Sequence, residues 1–119
     1  MASSNISRLQ DHPEFATPER CFIVETLSQP SLSVARARVE PGVTTAWHSV
    51  DGTIERYVMA EGRGRMCIGD EPPQEVGPGD LVTIPAGVRQ RISNIDDRDL
   101  IFYCLCTPRF EQKNYRALE

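Results

Sequence analysis

The sequence predicts an all-β domain, either a sandwich or a closed barrel. Short runs rich in β-branched and aromatic residues recur along the chain, and their breaks carry Gly, Pro and Asn-Asp turn chemistry. No helical period of useful length precedes the C-terminal tail. With 119 residues the chain has room for one domain and too little for two ordinary ones.

The expected strands, in order, are Cys21–Leu27, Leu32–Glu40, Thr44–His48, Ile54–Glu61, Arg65–Ile68, Leu81–Ile84, Gln90–Asn94 and Leu100–Cys106. Turns fall at Pro41-Gly42, Asp51-Gly52, Glu61-Gly62, Pro72-Pro73, Gly77-Pro78-Gly79-Asp80, Pro85-Ala86-Gly87 and Asn94 to Asp97. Residues 1–20 are polar and hold Pro13 and Pro18, which predicts an extended arm able to lie on a partner subunit. Residues 21–107 form the barrel. Residues 108–119 form a polar tail with room for a short helix.

Thirteen Lys and Arg against seventeen Asp and Glu leave a net charge of −4, without the basic surface that phosphate binding needs. Nucleic acid is therefore not the expected partner. No run approaches the roughly 20 apolar residues that cross a bilayer, so no membrane partner is expected either. The polar first ten residues carry no apolar signal core, and the chain reads as cytoplasmic. Cys21, Cys67, Cys104 and Cys106 show no zinc-finger spacing, and four reduced thiols are expected. There is no glycine-rich phosphate loop, nucleotide fingerprint or nucleophile elbow.

Two segments carry more. The stretch from Gly42 to Gly62 reads GVTTAWHSVDGTIERYVMAEG, and that from Gly79 to Asn94 reads GDLVTIPAGVRQRISN. Both resemble the paired motifs of the cupins. Gly42, His48, Glu55 and Gly62 match the first motif, and Gly79, Pro85, Gly87 and Asn94 match the second. Val50 replaces the second histidine of the first motif, and Gln90 replaces the histidine of the second. The resemblance spans about residues 32 to 106. It implies a double-stranded β-helix, or jelly-roll, barrel, and cupins usually pair as homodimers.

Strand side chains alternate faces, so His48 and Val50 point one way, Glu55 shares a face with Tyr57, and Gln90 with Ile92 and Asn94. In a cupin barrel His48, Glu55 and Gln90 would converge inside. The resemblance makes them the expected ligands of a divalent transition metal, Fe, Mn, Ni or Zn. Tyr57 is the expected catalytic donor. Arg38, Tyr57, Ile92 and Cys104 are the expected walls of a pocket for a small polar metabolite. The reaction class implied is that of a dioxygenase, isomerase or lyase. The alternative is a metal-free binding cupin in which Glu55, as a buried carboxylate, needs a partner such as Arg36, Arg38 or Tyr57. A metal-free isomerase using His48 as acid–base group lies between the two. Trp47, Arg56, Arg89 and Arg91 have the opposite parity and are expected outside the pocket.

Overall fold

In most strands alternation of apolar and polar residues assigns one face inward, and two sheets bury those faces against each other. The computed structural model describes residues 5–119. Its strands are β1 (Phe15–Ala16), β2 (Phe22–Gln29), β3 (Leu32–Val39), β4 (His48–Val50), β5 (Ile54–Glu61), β6 (Gly64–Ile68), β7 (Gln74–Val76), β8 (Leu81–Ile84), β9 (Gln90–Asn94), β10 (Leu100–Thr107) and β11 (Tyr115–Ala117). One sheet has the order β1-β2-β3-β10-β5-β8 and the other β11-β4-β9-β6-β7, the two walls of a jelly roll. Among the described residues no helix is long and apolar enough to cross a membrane.

The barrel is packed solid at one end and open at the other, and the inward residues of three strands explain why. Reading inward positions along β3 gives Ser33, Ala35, Ala37 and then Val39; along β10, Cys106, Cys104, Phe102 and then Leu100. Their register pairs Cys106 with Ser33, Cys104 with Ala35, Phe102 with Ala37 and Leu100 with Val39. On β5 the inward series is Glu55, Tyr57 and Met59. Large apolar side chains meet at one end, where Val39, Met59, Met66 and Leu100 belong to the core. Small and polar ones meet at the other, and the volume they leave is the cavity described below.

The motif residues have structural work of their own. Gly62 sits at φ 81°, and a Cβ there would lie 2.8 Å from the Asp99 carbonyl oxygen; only glycine fits that turn. Asn94 donates from Nδ2 to the carbonyls of Val39, at 2.9 Å, and Arg98, at 2.8 Å. Its Oδ1 accepts from the Asp96 amide at 2.8 Å, so one side chain ties off the turn into β10.

Both chain ends are tied to the barrel by strand pairing. The arm folds onto its own barrel: Phe15 pairs with Ile23 and Ala16 with Phe22. The tail forms a 3-10 turn over Gln112–Asn114 and then a strand rather than an α-helix, because Tyr115, Arg116 and Ala117 pair with the free edge of β4 at Val50, Ser49 and His48. An available sheet edge outweighs weak helical preference in so short a segment. Thr44 makes only an isolated bridge to Ser93, and β4 begins at His48.

Candidate functional site

A cavity of about 430 Å³ opens at the polar end of the barrel. The arm supplies part of its wall, β2, β3, β4, β5, β9 and β10 most of the rest, and Phe110 and Tyr115 of the tail complete it. His48, Glu55, Tyr57, Ile92 and Cys104, all placed by sequence, line it. Arg38 does not. It lies on the outward face of β3, bonded to Glu14 at 2.7 Å and to Asp99 at 3.4 Å and stacked over the Phe22 ring. The inward positions of β3 go to the small residues instead, so neither Arg36 nor Arg38 partners Glu55.

The expected ligand trio does not form a metal shell. His48 and Gln90 are direct cross-strand partners, yet their side chains join different networks. Gln90 is 1% exposed and stands behind the cavity wall. Its Nε2 donates to Glu55 Oε1, and its Oε1 accepts from the Tyr57 hydroxyl. The atom Gln90 turns to Glu55 is thus an amide nitrogen, which does not ligate metals. Val50 offers no donor atom at all. The usual cupin donor set does not fit a metal here.

Glu55 is instead the acceptor at the end of a relay. Its Oε2 faces the thiols of Cys104, at 3.2 Å, and Cys106, at 3.7 Å. The hydrogen bond between Cys104 and Cys106 pushes the Cys104 thiol up, and burial and the Glu55 charge add to it. Burial, then Glu55, likewise holds the Tyr57 phenol well above its ordinary range, so Tyr57 stays a donor. The donor atoms of Glu55, Cys104 and Cys106 lie within 4.8 Å of one another, close enough to hold one metal ion.

His48 belongs to a second cluster that sequence reasoning missed. Its Nδ1 lies 2.9 Å from the Ala46 carbonyl and 3.0 Å from Glu19 Oε2. Both partners accept, so Nδ1 carries a proton, and Nε2 is the nitrogen left to give or take one. The ring stacks on Tyr115 at 5.3 Å, and the Tyr115 hydroxyl donates to Glu19 at 3.4 Å. Burial raises Glu19 above the usual carboxylate range; His48 opposes the rise and the Glu55 charge adds to it. Burial, then Glu19, pushes Tyr115 up to about 12. Glu19 and Tyr115 come from the two chain ends, where no spacing rule marks them. The usable signal was that a buried histidine needs a partner and the arm held an unassigned glutamate.

Outside the barrel the parity expectation is met. Trp47 lies under two guanidinium groups, Arg89 at 4.4 Å and Arg91 at 4.5 Å from its ring centre.

Residues 35–106 match the family model described as "Cupin domain". The chain belongs to the cupin family. An uncharacterized protein of Methanocaldococcus jannaschii is 33% identical to this cupin over 87 residues, 73% of this chain and 69% of that protein. Among solved structures, Streptomyces Pac13, described as a nucleoside dehydratase, superposes with a TM-score of 0.84 at 17% identity over 98% of this chain and 92% of that one. KdgF from Halomonas gives 0.82 at 14% identity, covering 93% and 99%. Oxalate decarboxylase from Bacillus subtilis gives 0.80 at 20% identity over 98% of this chain and 33% of that one. At such identities these likenesses speak for the fold. This cupin shares its architecture with enzymes of several kinds.

Proposed function

We propose that this cupin binds a small metabolite in the barrel cavity and acts on it by metal-independent proton transfer, as an isomerase or lyase. His48 is the acid–base group. The observation that carries the reading is the pair of acceptors on His48 Nδ1, Ala46 O and Glu19 Oε2, which leaves Nε2 as the working nitrogen of a cavity-lining ring. Glu19 orients the ring and stabilises its charged form, as a carboxylate does behind any catalytic imidazole. Tyr57, whose hydroxyl is already donated to Gln90, is a positioning residue: through Gln90 it fixes the Glu55 carboxylate. As expected from sequence, the working form is a homodimer in the cytoplasm.

A second reading has support from the three close donors Glu55, Cys104 and Cys106. Deprotonated, they would hold a divalent transition metal, Fe, Mn, Ni or Zn, with the thiolates favouring Zn. Such an ion would supply Lewis-acid polarisation of a ligand oxygen.

One experiment separates the readings. Untagged protein is incubated with pooled polar metabolites in D₂O, with and without chelator, and followed by NMR for deuterium entry into carbon positions or loss of a compound. The expected result is turnover that ignores chelator and falls about 10²- to 10⁴-fold in His48→Ala. Turnover abolished by chelator, together with about one equivalent of metal in elemental analysis that Glu55→Ala loses, sinks the metal-independent reading in favour of the second.

A further inference from the structure

Among the described residues, the charged side chains lining the cavity are acidic: Glu19, half-buried, Glu25, exposed at the rim, and Glu55, buried. No lysine or arginine lines it. Strand parity is the cause. On β3 the small residues Ala35 and Ala37 face in, and Arg36 and Arg38 face out to Glu14. Arg91 of β9 and Arg89 just before it lie on the outside against Trp47. Much of the remaining wall is apolar: Ile23, Ala35, Ala37, Ile92, Phe102 and Phe110.

Resting on the reading of this cavity as a binding site, we infer its substrate class: a molecule with an apolar body and an uncharged or cationic head that donates hydrogen bonds, with amines favoured and carboxylates rejected. The apolar wall takes the body by burial. The head meets Glu55 and Glu19, acceptors that gain from a donor and gain more from a positive one. An anion would sit beside two carboxylates with no cation in reach, in surroundings where like charges repel more strongly than in water. The existing partners of those carboxylates are thiols, an amide, a phenol and one imidazole, so among the described residues no fixed guanidinium or ammonium compensates them. Burial holds the Glu19 carboxyl above its ordinary range, His48 opposes that and the nearby Glu55 adds to it, so a cationic head would act in the same sense as His48. The cavity volume of about 430 Å³ suits a ligand of small-metabolite size.

The test uses three molecules with one body: 2-phenylethylamine, 2-phenylethanol and 3-phenylpropanoate. Each is titrated near neutral pH, with chelator present, into ¹⁵N-labelled full-length protein, reading amide shifts of Ala35, Ala37 and Cys104. The expected order is amine first, alcohol second and carboxylate weaker than the amine by about tenfold or more. In Glu19→Gln/Glu55→Gln the amine's advantage over the alcohol disappears while alcohol binding persists. The wild-type order decides the matter if that variant does not fold. Carboxylate binding within about tenfold of the amine overturns the inference and leaves the cavity a binding site, so the proposed function survives it. No cavity shifts with any of the three overturns both.

Discussion

Glu14 and Glu19 stand on one short arm and meet opposite environments. Glu14 faces out, where Arg36 lies at 3.2 Å and Arg38 at 2.7 Å, and the Arg38 hydrogen bond holds its carboxyl below the ordinary range. Glu19 faces in, and burial raises its carboxyl against the pull of His48. The outer carboxylate is matched by permanent cations with access to water. The inner one is matched by a titratable imidazole and a phenol. Clamping the arm to the barrel therefore falls to the outer side and the contact with His48 to the inner, and a single extended segment does both because consecutive stretches of it face different ways.

The largest expected effect is on stability. In Glu19→Ala the Tyr115 hydroxyl loses its acceptor and His48 Nδ1 keeps only the Ala46 carbonyl. Losing these two hydrogen bonds, one from a half-buried phenol and one from a ring that keeps its other acceptor, costs about 0.5–1.5 kcal/mol each. Glu14→Ala removes surface ion pairs, which are worth about 0–1 kcal/mol. Urea denaturation of the two variants against wild type checks the contrast, and equal losses would break it.

The inner cluster was also the part of the site hardest to read from sequence, and the reason is physical. Ile54–Glu61, Leu81–Ile84 and Gln90–Asn94 begin and end where alternation and turn residues place them, because there local pattern and tertiary burial agree. The short strands Phe15–Ala16, Gln74–Val76 and Tyr115–Ala117 carry no alternation to read; they exist because an edge is there to pair with. The side chains on the barrel strands, His48, Glu55 and Tyr57, were legible through parity. Glu19 and Tyr115 reach His48 through pairings distant in sequence, which no local rule encodes. Arg38 was drawn inward by the argument that a buried carboxylate needs a cation. The alternation of Ala35 and Ala37 with Arg36 and Arg38 already pointed the other way, and Glu55 finds neutral partners instead.

Next in size is the pH dependence, and the two carboxyls should give opposite signs. Glu19 is raised in the folded state, so its contribution is fully present below the unfolded value near 4.5 and is lost as pH rises through the raised value. Glu14 is lowered, so its contribution is present above that value and is lost as pH falls through the lowered one. Glutamine titrates in neither state. The stability of Glu19→Gln relative to wild type should therefore improve from about pH 4 to pH 7, while that of Glu14→Gln relative to wild type should worsen as pH climbs from about 3 to 5. Urea midpoints across that range check both slopes; slopes of the same sign would mean that the arm's two faces are not electrically distinct.

The smallest effect concerns salt. The Glu14 pairs are within reach of solvent, with about a third or less of each side chain exposed: 30% for Glu14 and 24% for each arginine. Screening at about 0.5 M ionic strength, where the Debye length falls to a few ångströms, should weaken them by a few tenths of a kcal/mol. The contact of Glu19 with His48, whose side chains are 18% and 7% exposed, is shielded and should respond less. Hydrogen exchange resolves the two, because a backbone amide lies near each. Added salt should speed exchange at Phe15 and Ala16, which pair with β2 beside the Glu14 clamp, and leave the Ala46 amide, bonded to the Glu19 carbonyl at 3.1 Å, nearly unchanged. Glu14→Gln should remove the salt response at the first pair of amides. If salt loosens Ala46 as much as Ala16, the arm opens as one unit and the outer clamp is what holds Glu19 against His48; if only the outer amides respond, the inner contact stands by itself and the clamp serves the arm's entry alone.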